Sequence, residues 1–543
     1  MNILKRQCKI ISYLLLVSVL QGFVACTDSL KENSDIGRPN ILFIMSDDHA
    51  YQAISAYRSH LIHTPNIDRL ATEGVLFTEA SVTNSICAPS RATILTGKFN
   101  HLNGKIDNNM PFDTTQLTFP QLFQKNGYQT ALFGKLHFGN NPKGVDEFMI
   151  LPGQGQYINP DFITSKGDTT ILGYVTDIIT DLTLNWFKTK RNPEKPFMMM
   201  YLHKAPHRPW WPSPEKFKEF TKKEFPEPET LFDDYKNRGT AAKTAEMNIL
   251  HHMMYSHDSK IRPETLTSMG SVTPVVPEFE NSFYNEYDRA TAEQKALYDP
   301  ILDSINTYFK KNWPGMTDTE KMKWKYQRYM QDYLACISSV DDNVGRVLDY
   351  LEESGLAKNT LVIYTSDQGF YLGEHGWFDK RFMYSESFKT PLLIRWPEKI
   401  KPGSVENELV QNLDFAQTFL EAAGIQAPSD MQGESLMPLL VGNKENWKRD
   451  ALYYHYYEYP AEHMVKRHYG IVTKEFKLIH FYYDVDEWEL YDRLKDPNEM
   501  KNVYSDGAYQ ETVGTLKKKL GELRKKYKDS VELDQKFIDM YNK

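Results

Sequence analysis

The chain has 543 residues, of which 41% are hydrophobic and 25% charged, as in a globular protein large enough for more than one domain. Its formal net charge of −8 leaves no basic excess to neutralise phosphates, which argues against nucleic acid as a partner. An anionic sugar is compatible with this balance, because binding one requires only a local cluster of cations.

The N-terminal segment has the features of an export signal. Basic residues precede a mostly apolar run at 10–24, which is short for a membrane span. The run ends at Phe-Val-Ala-Cys26, which resembles a bacterial lipobox, in which the cysteine carries lipid. We therefore predict a lipoprotein-type signal peptide at 1–26 and a polar tether at 27–38. The protein would be exported to the periplasm or outer membrane and attached to the membrane only through lipid on Cys26. A plain secretory signal is the alternative.

Four short apolar runs are each followed by polar residues. Such runs are typical of buried strands, and α/β sheets bind ligands at the carboxyl ends of their strands. The runs, with the residues that follow them, are 41–45 with Asp47 and Asp48, 128–133 with Lys135 and His137, 197–202 with His203, and 360–365 with Asp367 and Gln368. This repetition is the strongest indication of an α/β fold in the sequence.

The remaining elements fit one large domain and one small one. Predicted helices lie at 66–74, 119–127, 178–190, 323–354 and 414–424, and further strands at 75–77 and 391–396. We predict an α/β catalytic domain at 39–442, with a long insertion of short helices at about 212–317. A C-terminal α+β subdomain is predicted at 443–543, because Tyr-rich alternating segments at 452–459 and 469–483 indicate an antiparallel sheet and 509–527 an amphipathic helix.

One stretch, Cys-Ala-Pro-Ser-Arg at 87–91, pairs a reactive side chain with a cation. Pro89 suits the first turn of a helix, which places Arg91 one turn after Cys87 on the same side. Helix N-termini favour negative charge. The residues alone are consistent with an anion site that contains a nucleophile, or with a buried cysteine at an ordinary helix start.

Followed by Ala-Thr-Ile-Leu-Thr-Gly, this stretch resembles the signature of the type I sulfatases. In that family a formylglycine-generating enzyme, here an expected partner, oxidises the cysteine to formylglycine. The resemblance therefore implies formylglycine at Cys87, supported by Arg91. It also implies an alkaline-phosphatase-like fold, in which helices flank a large mixed sheet and a smaller C-terminal antiparallel sheet packs with a helix.

Asp47, Asp48, Asp367 and Gln368 offer oxygen ligands from two strand ends, a set that suits a hard divalent cation such as Ca²⁺. The resemblance implies that these side chains bind calcium together with residue 87. The position of Gln368 is often Asn in the family.

The resemblance also implies roles for four further residues. Lys135 and Lys380 would bind sulfate oxygens. His203 would protonate the leaving alcohol, and His137 would take a proton from the formylglycine hydrate so that sulfate is released. Taken singly, each histidine is more often a structural hydrogen-bonding residue.

Among the sulfatases, the chain is most similar to bacterial N-acetylglucosamine-6-O-sulfatases that act on heparin and heparan sulfate. The sugar pocket is predicted to involve His207, Arg208, Trp210, His375, Asp379 and Arg381, each of which has the alternative of only shaping its loop. Other substrates are an iduronate 2-sulfate or another 6-sulfated glycan, such as mucin or a galactosamine glycan. Two other classes are a phosphodiesterase of the same fold, which usually carries Ser or Thr as nucleophile, and a non-catalytic lipoprotein that binds sulfated glycans.

Overall fold

A computed structural model describes residues 37–270, 272, 279 and 281–542. The predicted signal peptide at 1–26, with Cys26, lies outside the described residues, as does the predicted tether except for its last two residues. Among the described helices, none combines the length and the apolar character needed to cross a membrane.

The described residues form one ten-stranded mixed sheet. Its strands, in spatial order, are β13 (Ser404–Glu406), β2 (Val75–Phe77), β12 (Leu392–Arg395), β9 (Thr360–Ser366), β1 (Asn40–Ser46), β8 (Phe197–Leu202), β4 (Gln129–Gly134), β5 (Glu147–Ile150), β6 (Asp161–Thr164) and β7 (Gly167–Thr170). Two short pairs lie outside it, β3 (Ala80–Ser81) with β14 (Val410–Gln411) and β10 (Tyr371–Leu372) with β11 (Phe378–Asp379).

The four strands that carry the predicted site residues are neighbours at the centre of this sheet. β9, β1, β8 and β4 run parallel, with Met45 opposite both Thr365 and Leu202. Their carboxyl ends therefore meet at one edge, as the α/β prediction requires. The predicted mixed sheet flanked by helices is confirmed.

The central strands are apolar on both faces because helices cover both. Successive side chains of a strand point to opposite faces. Leu42 and Ile44 therefore join one core cluster, while Ile41 and Phe43 join the other. The ring of Phe43 lies 5.4 Å from that of Phe419, centroid to centroid. The side chains at 41–45 thus place apolar surface on both sides of β1, where the two helical layers pack.

The α-helices are α1 (Pro65–Thr72), α2 (Cys87–Thr96), α3 (Asn100–Asn103), α4 (Phe119–Lys125), α5 (Val175–Thr189), α6 (Pro214–Phe220), α7 (Thr240–Thr244), α8 (Ile249–His252), α9 (Tyr255–Ser259), α10 (Pro263–Met269), α11 (Phe283–Tyr287), α12 (Ala292–Asn312), α13 (Asp318–Glu353), α14 (Ser385–Phe388), α15 (Phe415–Ala422), α16 (Met437–Leu440), α17 (Gln510–Lys526) and α18 (Val531–Tyr541). α13 begins five residues before the predicted start at 323, because Thr317 and Glu320 form a capping box there.

The insertion at 212–317 contains more regular structure than the sequence suggested. Short helices are present as predicted, but α12 is a 21-residue helix that was not predicted. Pro300 lies inside it, and a proline in a helical pattern ordinarily signals a break. The strands β5 to β7 and the last helix α18 were also not predicted.

The C-terminal residues form a separate antiparallel sheet of β15 (Leu452–Tyr456), β16 (His468–Val472), β17 (Phe476–Phe481) and β18 (Glu487–Asp492). The alternating segment at 469–483, predicted as part of an antiparallel sheet, forms a hairpin of β16 and β17. Leu516 and Leu520 of α17 join the core beneath this sheet. The small antiparallel sheet with its helix is therefore confirmed, and its β15–β16 loop contacts Arg208, which follows β8, and Asp379 of β11.

Candidate active site

Cys87 is the first residue of α2 and is fully buried. The extended residue Ile86 precedes it, and Asn108 Oδ1 accepts a hydrogen bond of 3.1 Å from the next backbone N–H, that of Ala88. Ser90 donates its hydroxyl proton to the carbonyl of Asp367 and accepts from Asn412 Nδ2 at 2.8 Å. These contacts fix the Cys87 end of α2 against the carboxyl edge of the large sheet.

Arg91 joins the ends of three strands to this helix. Its Nε and Nη2 lie 2.9 and 2.8 Å from Asp367 Oδ2, after β9. Its Nη2 also lies 3.6 Å from Asp47 Oδ2, after β1, and its Nη1 donates to the carbonyl of Lys135, after β4. The predicted supporting role of Arg91 next to Cys87 matches this geometry, because one guanidinium positions all three strand ends.

Asp47, Asp48 and Asp367 each place a carboxylate oxygen within 4.8 Å of the others. The backbone N–H of Asp48 donates to Asp367 Oδ1 at 3.1 Å, and Gln368 Nε2 donates to Asp48 Oδ1. Asp47 Oδ1, Asp48 Oδ2 and Gln368 Oε1 are buried and accept no hydrogen bond from the described residues. Buried oxygens without donors are costly unless a cation satisfies them.

The ionisation of these acids follows from burial and from their neighbours. Burial and the adjacent carboxylates raise the pKa of Asp48 to about 7 and that of Asp367 to about 6. Burial opposes ionisation of Asp47 as well, but Lys135, His207 and Arg91 outweigh it and hold the pKa of Asp47 well below its ordinary value. A divalent cation would stabilise all three carboxylates in their charged form.

The two predicted sulfate-binding lysines both reach the cluster. Lys380 Nζ pairs with Asp48 and lies 3.4 Å from Cys87 Sγ. Lys135 Nζ pairs with Asp47 and donates to Gln154 Oε1. Two cations therefore lie near the Cys87 sulfur, where a transferred anion would lie.

His207, not His203, lies against the nucleophile position. Its ring nitrogen lies within 4.8 Å of Cys87 Sγ and of an Asp47 oxygen, and its Nε2 is 3.7 Å from Asp48 Oδ2. Burial and the nearby Lys135 hold the pKa of His207 well below its ordinary value. The sequence predicts His207 as a sugar contact, but its position suits proton transfer to the leaving group once the negative charge of a bound sulfate favours the protonated ring.

His203 does not fit the role predicted for it. Its ring packs edge-on against Tyr201, 4.4 Å between centroids, and neither ring nitrogen hydrogen-bonds to a described residue. Burial and the neighbouring His49 lower the pKa of His203 to about 3. Tyr201 points toward α5, because its hydroxyl hydrogen-bonds Thr180 of that helix. His203 lies two residues after Tyr201, so its side chain points to the same α5 face of the sheet.

His137 lies at the end of β4 in a left-handed backbone conformation, with φ of 65°. Its Nδ1 is buried and hydrogen-bonds to no described residue. Burial and Lys135 hold the pKa of His137 well below its ordinary value, while Asp47 opposes them. A neutral imidazole whose Nδ1 has no partner among the described residues can accept a proton, which is the role that the resemblance implies for His137.

Two of the predicted sugar contacts are not accessible. Trp210 is fully buried against Tyr329, with 4.6 Å between ring centroids, so it has no face free for a sugar. His375 is also fully buried, and Arg238 Nη2 hydrogen-bonds its Nδ1 at 2.8 Å. Both side chains shape the loops next to the site.

Arg208, Asp379 and Arg381 do lie beside the site, in a network that the sequence analysis missed. Asp258 accepts from Arg208 Nε and Nη2 at 2.7 and 2.8 Å, and Arg381 pairs with Asp379. Two residues of the β15–β16 loop complete the network, which we call the rim cluster. Its members are Arg208, Asp258, Asp379, Arg381, Glu462 and His463.

Comparison with known proteins agrees with this geometry. The profile of the family "Sulfatase" matches residues 39–425, and that of "N-sulphoglucosamine sulphohydrolase, C-terminal" matches 373–526. An N-acetylglucosamine-6-O-sulfatase of Bacteroides thetaiotaomicron is 47% identical over 96% of this chain and 92% of its own length. The human N-acetylglucosamine-6-sulfatase is 27% identical over 81% of this chain and 70% of its own length.

Solved structures of sulfatases and related hydrolases are also similar to this chain. A protein in complex with its substrate D-glucosamine-2-N,6-O-disulfate aligns with a TM-score of 0.86 at 48% identity, covering 92% of this chain and all of the other. A phosphonate monoester hydrolase from Silicibacter pomeroyi, at 20% identity and a TM-score of 0.64, shares the fold; the alignment covers 90% of this chain and 96% of that one. With the Cys87 signature at the meeting point of four strand ends, this chain belongs to the sulfatase family.

Proposed function

We propose that this sulfatase hydrolyses the 6-O-sulfate ester of a terminal N-acetylglucosamine or glucosamine of heparin or heparan sulfate, using formylglycine derived from Cys87 and a calcium ion. The observation that carries the proposal is the convergence of Lys380, His207 and Asp47 on the Cys87 sulfur. The name of the Bacteroides relative and the disulfated glucosamine in the similar structure support the choice of sugar.

The residues at the strand ends fit both groups. Asp47, Asp48, Asp367 and Gln368 would hold the calcium ion, since three of their oxygens are buried without a donor. Calcium would supply positive charge that activates a hydroxyl of residue 87 and offsets charge on the sulfate. Formylglycine at position 87 would supply, as its hydrate, the attacking hydroxyl and a second hydroxyl that later expels the sulfate.

The remaining side chains divide the work of binding and proton transfer. Lys380 and Lys135 would bind the sulfate oxygens and stabilise charge on the transferred group. His207 would protonate the sugar oxygen as the bond from sulfur to that oxygen breaks. His137 would accept a proton from residue 87 when sulfate is released. Arg91 would keep residue 87 and the carboxylates aligned through its contacts with Asp367 and Asp47.

Calcium removal is expected to lower stability as well as activity. A ligand at 100 times its dissociation constant stabilises a fold by about 2.7 kcal/mol, a shift of a few degrees in Tm for a protein of this size. Differential scanning fluorimetry with chelator and then with added Ca²⁺ measures this shift. Asp367→Asn serves as the comparison, and most of the calcium-dependent shift in Tm should be absent from this variant. An unchanged Tm in the wild-type protein would contradict the calcium proposal.

Substrate specificity is tested with protein in which peptide mass has verified formylglycine at residue 87. Desulfation is followed for N-acetylglucosamine-6-sulfate, N-acetylgalactosamine-6-sulfate and an unsaturated uronate-2-sulfate disaccharide. The first should be turned over fastest. Preference for either of the others would retain the sulfatase chemistry and refute the choice of sugar.

We also propose that a formylglycine-generating enzyme acts on Cys87, and that the chain is exported and anchored through lipid on Cys26. The basic and apolar run before the lipobox-like sequence supports this location. The mass of the mature N-terminal peptide checks it, because lipid on Cys26 adds a defined increment and a plain secretory signal adds none.

A further inference from the structure

The β15–β16 loop of the small C-terminal sheet contacts both segments that flank the catalytic cluster. Glu462 Oε1 lies 3.3 Å from Arg208 Nη1, and its Oε2 lies 3.2 Å from Arg381 Nη2. Arg208 follows His207 in the chain and Arg381 follows Lys380, and both of these neighbours reach the Cys87 site. The Glu462 carboxylate is therefore held beside the space that a substrate at Cys87 would occupy.

The same loop holds Asp379 from the other side. His463 Nδ1 donates to the carbonyl of Glu246 at 2.8 Å, and its Nε2 lies 3.2 Å from Asp379 Oδ2. Asp379, Arg381 and His463 adopt left-handed conformations, with φ of 74°, 91° and 63°. Residues other than glycine rarely adopt this backbone conformation, and strained residues of this kind cluster at binding sites.

Glu462 is the solvent-facing member of the rim cluster. Its side chain is 60% exposed, whereas those of Arg208 and Arg381 are 7% and 3% exposed. The buried Nε of Arg381 hydrogen-bonds to no described residue, so the cluster has an unused donor as well as exposed acceptors. A ligand can reach the Glu462 carboxylate without displacing the core.

The charge of the rim cluster indicates what it would bind. Two guanidinium groups face three carboxylates, and Asp258 and Asp379 already pair with Arg208 and Arg381. The carboxylate of Glu462 is thus an additional negative charge. Its repulsion disfavours the binding of a second sulfate or a uronate carboxylate at the rim cluster. Its oxygens instead suit hydroxyl groups, which donate hydrogen bonds to carboxylates.

We propose that Glu462 is a specificity-determining residue, whose carboxylate accepts hydrogen bonds from hydroxyl groups of the sugar ring that carries the scissile sulfate. The ring edge facing the rim cluster then bears hydroxyls rather than a second anionic group. This inference deepens the proposed function and rests on it. It also gives the C-terminal subdomain a direct part in substrate selection.

The test compares Glu462→Gln and Glu462→Ala with wild type, on the sulfated saccharide that the wild type turns over fastest. KM should rise about 10- to 100-fold in the alanine variant, the range for loss of a charged hydrogen-bond partner, while kcat changes by less than about threefold. Glutamine keeps the shape of glutamate but not its charge. The KM of Glu462→Gln should therefore lie between those of the wild type and of Glu462→Ala. The matched control is Glu475→Gln, at an exposed site of the same subdomain, which should leave both constants unchanged.

A second readout separates sugar binding from support of the catalytic residues. The ratio of kcat/KM for the saccharide to kcat/KM for 4-nitrophenyl sulfate should fall about 10- to 100-fold, because the aryl ester has no sugar hydroxyls. A loss confined to kcat, or an equal loss on both esters, would overturn the inference and make Glu462 a positioning residue. Unchanged constants in variants with wild-type Tm would overturn it as well. A wild-type enzyme that releases sulfate from neither ester would instead refute the proposed function.

Discussion

Cys87→Ala is expected to reduce sulfate release by on the order of 10⁴-fold or more while leaving the fold intact. In the proposed mechanism the nucleophile is derived from this side chain. The nearest hydroxyl on the same helix, that of Ser90, is engaged with the carbonyl of Asp367 and with Asn412. Loss of one sulfur atom from α2 removes little packing, so we expect a Tm within a few degrees of wild type.

The measurement is sulfate release by ion chromatography, with Tm recorded on the same samples. Cys336→Ala is the matched control, because Cys336 is also buried but lies in α13, where it contacts Tyr174. That variant should keep kcat and lose some stability, as expected for a large-to-small change in a core. Turnover by the Cys87 variant near the wild-type rate would refute a nucleophile at position 87.

His207→Ala is expected to lower kcat on a sugar sulfate by about 10²- to 10⁴-fold, the range for loss of a general acid. His207 lies beside Cys87, whereas His203 packs against Tyr201 on the α5 face of the sheet. The loss should be much smaller on 4-nitrophenyl sulfate, because nitrophenolate leaves without needing a proton. This dependence on the leaving group distinguishes proton donation from a general disturbance of the site.

His203→Ala is the comparison for this prediction. It should keep most of the activity on both esters and lose stability instead, since it leaves a cavity between Tyr201 and the neighbouring His49. Steady-state kinetics on both esters and thermal unfolding measure the two effects. The opposite pattern, a kinetic defect specific to sugar esters in His203→Ala, would restore the role that the sequence predicted for His203.

The sequence predicted the centre of the fold because its information there is local. Apolar runs such as 41–45 and 197–202 are buried on both faces in parallel strands, and the polar residues after them necessarily meet at one edge. The signature at Cys87 is likewise local. Arg91 lies one helical turn after Cys87, and its guanidinium reaches Asp367. The placement of Asp47, Asp48 and Lys135 follows from the first of these regularities, whereas Lys380 was expected only from the family resemblance.

The errors arose where the direction of a side chain depends on distant partners. His203 and His207 are four residues apart in one segment, and spacing does not reveal that the first turns toward Tyr201. His375 is buried, and its ring is hydrogen-bonded by Arg238, 137 residues away in the chain. Glu462 reaches Arg381 across 81 residues from a loop without a recognisable motif. Such contacts are set by tertiary packing, which local patterns do not encode.

The burial of Cys87 constrains when its side chain can be modified. Ser85 donates its backbone N–H to Tyr454 Oη, 369 residues later in the chain, so the C-terminal subdomain helps to close the structure around this stretch. Ribosomes add about 5 to 20 residues per second, so roughly 20 to 70 s separate the synthesis of these two sites. The modifying enzyme that we propose would therefore reach the Cys87 sulfur most readily in the nascent or still unfolded polypeptide. The fraction of active molecules would then depend on how much of the chain is oxidised before it folds, rather than on the stability of the finished protein.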